Sequence, residues 1–97
     1  MKWHVRVLPL AEADLRDARD WYEHQRAGLG AEFLQAAEEA LLLLETHPER
    51  HPVYYRTIRR ILTRRFPYKL FYLLDADRVE VLRVLHAHQD HCRWLPG

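Results

Sequence analysis

The chain reads as an α+β domain in which a helical hairpin packs on one face of a small antiparallel sheet, in the order β-α-α-β-β-β. Three observations predict this. Two stretches, 11–25 and 31–46, carry apolar residues at helical spacing. The short break AGLG between them is long enough only for an antiparallel helix pair. Residues 57–91 then read as three consecutive strands with tight connections.

Each element follows from its residues. In 3–8, Trp3, Val5 and Val7 alternate with His4 and Arg6, which is the period of a strand. Pro9 ends that strand and suits the first turn of a helix. Ala11, Leu15, Ala18 and Tyr22 then share one helical face, and Arg19 stands four residues before Glu23 as an outer ion pair. In the second helix Phe33, Ala37, Ala40 and Leu44 form the stripe, widened by Leu34 and Leu41. His47-Pro48 stops it, and 48–56 reads as a loop with two prolines. Residues 57–65 alternate imperfectly, because Arg59-Arg60 and Arg64-Arg65 each put a charge on both faces; a bulge or a solvated edge accounts for that. Residues 68–74, YKLFYLL, are apolar on both faces except at Lys69, as in an interior strand. Asp75-Ala76-Asp77 is a hairpin turn, and 79–86 is the last strand.

Ninety-seven residues make one domain with a small core. The 48% hydrophobic fraction and three Trp argue for a folded globule. Cys92 is the single cysteine, so no internal disulfide forms, which fits a reducing cytoplasm. MKWHVRVLPLAEADL has neither a continuous apolar stretch nor a small-residue cleavage site, so no secretory signal is expected. The apolar run 40–44 is far shorter than a bilayer span needs.

The net charge of +1 conceals a strong asymmetry. Between Arg50 and Leu74 lie seven basic residues (Arg50, Arg56, Arg59, Arg60, Arg64, Arg65, Lys69) and no acid, out of 15 basic and 14 acidic in the chain. The remainder is therefore acidic, and the block looks outward toward a partner of opposite charge.

AEADLRDARDWY in the first helix, GLGAEFLQAAEEAL in the second, RRFPYKLFYLLDADRVEVLRVLH through the sheet and a closing D-x-x-x-W from Asp90 to Trp94 resemble the RelE/ParE superfamily of toxins from type II toxin–antitoxin pairs, on the ParE-like side. The resemblance implies a cytoplasmic toxin of the plasmid-stabilisation kind. It implies neutralisation by a cognate antitoxin, a small DNA-binding protein encoded by an adjacent gene, in a toxin–antitoxin hetero-oligomer. Two outcomes occur in the superfamily: RelE-like members cut mRNA in the ribosome through basic residues on the sheet, and ParE-like members act on DNA gyrase without demonstrated nuclease chemistry. Many relatives read H-x-x-R-D after the last strand; here His86-Ala87-His88-Gln89-Asp90 puts glutamine at the arginine position, and His91 stands where proline is common.

Two uses of the basic block follow. Metal-free RNA cleavage needs cations on the phosphate and a base for the 2′-hydroxyl. Arg60, Arg65 and Lys69 would be the cations and His86 the base. The simpler use is docking on an acidic protein surface through Arg56, Arg59, Arg60, Arg64 and Arg65, with Trp21 and Trp94 as aromatic anchors. Trp21 and Tyr22 are adjacent on a helix and cannot both point inward, so an exposed Trp21 marks a contact. His86, His88, His91 and Cys92 spell H-x-H-x-x-H-C, but that spacing matches no common zinc site. No metal and no cofactor are expected. The reading is a non-enzymatic toxin that binds an antitoxin and poisons gyrase, the alternatives being a ribosome-dependent mRNA endonuclease or a non-toxic binding module of the same fold.

Overall fold

The computed structural model of the chain describes residues 2–88 and Leu95. A first strand, β1 (His4–Val7), runs directly into α1 (Pro9–Gln25), with Pro9 in its first turn and the Leu8 carbonyl accepting the Glu12 N–H at 2.9 Å. Proline costs nothing there, because its missing N–H would have no partner within the helix. The second helix, α2 (Leu29–Leu44), buries Phe33, Ala36, Ala37, Ala40 and Leu44. After the turn Pro48–Arg50 come β2 (Val53–Tyr55), β3 (Ile58–Leu62), β4 (Tyr68–Asp75) and β5 (Arg78–His86).

The helix-helix turn is built differently from the sequence expectation. Arg19 pairs with Asp20 at 3.0 Å, and the Glu23 carboxylate instead accepts the N–H groups of Gly28 (2.9 Å) and Gly30 (3.0 Å). Both N–H groups lie at the start of α2, where a helix has no internal acceptors for them. Gly28 adopts φ 90°, and a Cβ on Gly30 would sit 2.7 Å from the Arg19 carbonyl oxygen. The AGLG break is therefore a left-handed turn followed by a close crossing of the two helices.

Those two N–H groups hold the Glu23 carboxyl below the usual carboxylate range. A lowered folded-state pKa gives stability that is present above the unfolded carboxyl value and is lost as pH falls through the folded one. Thermal unfolding of the wild-type chain should thus lose more Tm on acidification from about pH 5 to about pH 3 than Glu23→Gln does. Parallel curves for the two proteins would show that this cap contributes nothing.

The sheet has five strands in the order β1-β5-β4-β3-β2. The α+β layering is as the sequence predicts, with two differences. First, β1 lies parallel to β5, with Val5 opposite Val79 and Val7 opposite Val81, so the sheet is mixed. The chain leaves β1 through the helical hairpin and comes back to it only with β5, a pairing that no local pattern encodes. Second, 53–55 is a short edge strand rather than loop, paired with β3 through Val53–Arg59 and Tyr55–Ile58. Three residues are too few to show alternation, although Val-Tyr-Tyr favours strand. The third strand also ends sooner than the expected 65: β3 stops at Leu62, and Arg64 and Arg65 belong to its turn into β4.

Both faces of the sheet are apolar. On the helix side Ile61, Leu70, Tyr72, Val79, Val81 and Val84 pack with Ala11, Ala40 and Leu44. On the far side Ile58, Phe71 and Leu85 pack with Leu95. A bulge reconciles β5 with this pattern. Phe71 faces Arg83 but Tyr72 faces Val81, leaving Leu82 as the extra residue. Val81 and Val84, three apart, can then both enter the helix-side core. Tyr72 is fully buried and its hydroxyl donates to the Pro48 carbonyl at 2.6 Å. Burial pushes that hydroxyl up to about 12, so it stays a donor. No helix among the described residues is long and apolar enough to cross a membrane.

Candidate partner-binding surfaces

The basic block does not form one patch. Strand alternation and the two ends of β3 send the members from Arg56 to Lys69 to four places. Arg59 points to the helix side, where its Nη1 donates to the carbonyls of Glu49 (3.1 Å) and His51 (2.7 Å). It ties the loop before β2 to the sheet. Arg60 and Lys69 lie on the far face, since Arg60 pairs with Phe71 and Lys69 with Leu62. Arg60 stacks over Tyr54 at 4.2 Å, and Lys69 is lowered from the ordinary lysine range by burial and by Arg60. Arg64 and Arg65 occupy the β3–β4 turn, beside Glu32, Gln35, Ala36 and Glu39 of α2. Arg65 binds Glu32 at 2.8 Å and covers Phe66. Arg56, exposed in the β2–β3 turn, lies over Tyr55.

Arg56 (φ 53°) and Arg65 (φ 72°) hold left-handed backbone conformations. Such a conformation costs a non-glycine residue roughly 1 kcal/mol. Long cationic side chains thus stand at two turns where glycine would be cheaper.

His86 stands apart from Arg60 and Lys69. It is paired with Tyr68, whose ring packs on Phe33 and Tyr22 on the helix side. The His86 ring meets Tyr68 at 5.3 Å, and its Nδ1 accepts the His88 N–H at 3.1 Å. Burial, and then His88, lower its pKa, so it is neutral at pH 7. The proposed nuclease cations on the far face and the proposed base are on opposite sides of the sheet. Among the described residues no three His, Cys, Asp or Glu side chains cluster as a metal site would need. Gln89, His91, Cys92 and Trp94 lie outside the described residues.

A second surface lies between α1 and the end of β5. Trp21 is 57% exposed, while Tyr22 turns inward and joins Phe33, Phe66 and Tyr68 in an aromatic cluster. Trp21, Tyr22, Pro67, Tyr68 and His86 line an open recess. Through Trp21 and Tyr68 it continues into a groove with Asp14, Asp17, Ala18 and Arg83. The groove exists because β1 covers only Arg78–Val81 of β5. Beyond that point Asp14 takes the place of a strand: its carboxylate accepts from Arg83 Nε (2.7 Å), Arg83 Nη2 (2.9 Å) and the Val84 N–H (2.9 Å). This clamp is absent from the sequence reading. Its signal was present, since Asp14 sits three residues after Ala11 and four before Ala18, on the buried side of α1.

A family model described as the ParE toxin of type II toxin–antitoxin systems, parDE, matches residues 5–91. A chain of the chromosomal ParDE toxin–antitoxin system from P. aeruginosa superposes with a TM-score of 0.80 at 17% identity, over 89% of this chain and 97% of that one. A chain of the toxin–antitoxin complex RelBE2 from Mycobacterium tuberculosis superposes with a TM-score of 0.66 at 26% identity, over 89% of this chain and 99% of that one. No curated protein matches the chain. The family match runs from β1 past the end of β5 and so takes in both helices and the whole sheet: the chain belongs to the ParE toxin family of type II toxin–antitoxin systems.

Proposed function

We propose that this chain is a toxin that acts on DNA gyrase in the cytoplasm and is held inactive by a cognate antitoxin, without nuclease chemistry of its own. The observation that carries the reading is the separation of His86 from Arg60 and Lys69 across the sheet, with Arg65, the third cation of that set, engaged by Glu32. A base that cannot reach the cations holding a phosphate cannot activate the adjacent 2′-hydroxyl. Glutamine at position 89, where many relatives carry arginine, supports the same reading. The antitoxin assignment rests on the family and on the two structural relatives, each from a toxin–antitoxin system.

Expression of the chain alone in bacteria tests this. Growth arrest with gyrase-linked DNA breaks and intact mRNA is the expected result. Early loss of translated mRNA at codon-defined positions would replace the reading with mRNA cleavage. Normal growth would leave a binding module of the same fold.

Arg56, Arg60, Arg64, Arg65 and the exposed Trp21 are the residues we assign to partner binding. Arg59 is engaged by two carbonyls and serves mainly to hold its loop. Arg60→Glu combined with Arg64→Glu should weaken antitoxin binding at least tenfold, about 1.4 kcal/mol. Both side chains sit on the surface of the sheet or its turn, so folding should survive. An unchanged Kd for the folded double variant would remove these two arginines from the interface.

A further inference from the structure

The recess beside Trp21 has a composition of its own. Its walls are Trp21, Tyr22, Tyr68 and His86, closed on one side by Pro67. Trp21 and Tyr22 stand nearly perpendicular at 5.1 Å, and Tyr68 and His86 do the same at 5.3 Å. Aromatic faces carry negative potential and attract cations, most strongly when water is partly excluded. The adjoining groove adds two carboxylates, Asp14 and Asp17. Asp14 is committed to Arg83, and both side chains are about 85% buried, so that pair is internally neutral. Asp17 is exposed, and it enters no ion pair with the described residues. Recess and groove together therefore offer aromatic faces and one available negative charge. The β3–β4 turn with Arg64 and Arg65 adjoins the recess at Pro67, and its Arg65 is held by Glu32.

We propose that this recess receives an arginine side chain, presented by a protein partner on an otherwise apolar segment. The guanidinium stacks on Trp21 and takes Asp17 as its counter-charge, while the flanking apolar residues cover Tyr22, Pro67 and Tyr68. Arginine suits the site better than lysine, because its planar, weakly hydrated cation can stack on a ring and bind a carboxylate at once. The imidazole of His86 accepts the His88 N–H and is kept neutral by burial, so it adds no opposing charge. The partner is the antitoxin if the toxin–antitoxin reading above holds, and the inference deepens that reading by naming the chemistry of the docked segment.

The test uses the full-length chain labelled with ¹⁵N and two tripeptides, Ac-Leu-Arg-Leu-NH₂ and its citrulline counterpart, which is close in shape and uncharged. The indole N–H of Trp21, assigned with Trp21→Phe, is followed by NMR. We expect the arginine peptide to shift that signal and to bind about fivefold more tightly than the citrulline peptide, with Asp17→Asn erasing most of the difference. Asp17 is on the surface of α1, so its variant keeps the fold. Equal affinities, no shift at Trp21, or shifts confined to the Glu32–Glu39 side of α2 would each overturn the proposal. The outcome does not depend on toxicity. If the peptides fail while the antitoxin still binds and neutralises, the arginine inference falls and the toxin–antitoxin reading stands. If the arginine peptide binds but expression alone leaves growth normal, the reverse holds.

Discussion

Asp14→Ala is expected to lower stability by about 3 kcal/mol, the scale for removing one partner of a mostly buried ion pair. Three bonds vanish together: two from the Arg83 guanidinium and one from the Val84 N–H. The guanidinium then loses this carboxylate in a poorly hydrated site. The hydrogen bond to Asp14 raises Arg83 further above its already high range, so losing a proton gives it no escape. For a domain of this size the loss corresponds to a fall in Tm on the order of 15 °C. Asp14→Asn distinguishes the parts. It keeps an oxygen for Val84 and removes the charge, and should cost roughly half as much. If both variants melt within a degree or two of wild type, the clamp is not structural, and Asp14 should be reconsidered as a contact for a partner strand.

Phe33→Ala is expected to be the most damaging single truncation, at about 4 kcal/mol. Phe33 has no exposed surface, and its ring lies 5.3 Å from Tyr22, 5.5 Å from Phe66 and 5.1 Å from Tyr68. The loss combines apolar burial, a cavity and three ring-ring contacts that α2 cannot refill from one side. Set against total stabilities of about 5–15 kcal/mol for domains in general, it would leave a marginal fold at 37 °C. Urea unfolding measures it directly, with Leu42→Ala as the control. Leu42 lies on the same helix but is 55% exposed, so its variant should stay within about 0.5 kcal/mol. The aromatic recess should suffer with Phe33, because Tyr22 and Tyr68 rest on that ring.

These two residues also show what the sequence could and could not convey. Phe33 is legible: it opens a stripe with Ala37, Ala40 and Leu44, and each of the four is buried. Periodicity works there because a helix brings its own repeats together. The exposure of Trp21 is legible by the same geometry, since its neighbour Tyr22 takes the inward position. Asp14 and Arg83 lie 69 residues apart, Asp14 on the buried side of a charge-rich helix and Arg83 within the apolar run 81–85. A charge in such a place signals a partner without naming it. The parallel pairing of β1 with β5 is hidden for the same reason. The arginines illustrate a third limit. Adjacent in sequence, Arg59 and Arg60 are separated by the sheet itself, so a dense run of positive charge became a loop tether, a far-face pair with Lys69 and two decorated turns. Counting charges finds the block; only the strand register distributes it.

The place of β5 in the sheet bears on when the molecule can exist at all. It is the last of the described strands, yet it lies between β1 and β4 and supplies Val79, Val81 and Val84 to the main core. A chain that has emerged only as far as the Ala76-Asp77 turn has both helices and four strands, but nothing to join the first strand to the rest. Its long-range contacts form late and together, which makes folding all-or-none with respect to chain length. Products that stop before β5 should therefore stay unfolded, and only a chain that includes this strand can form the sheet.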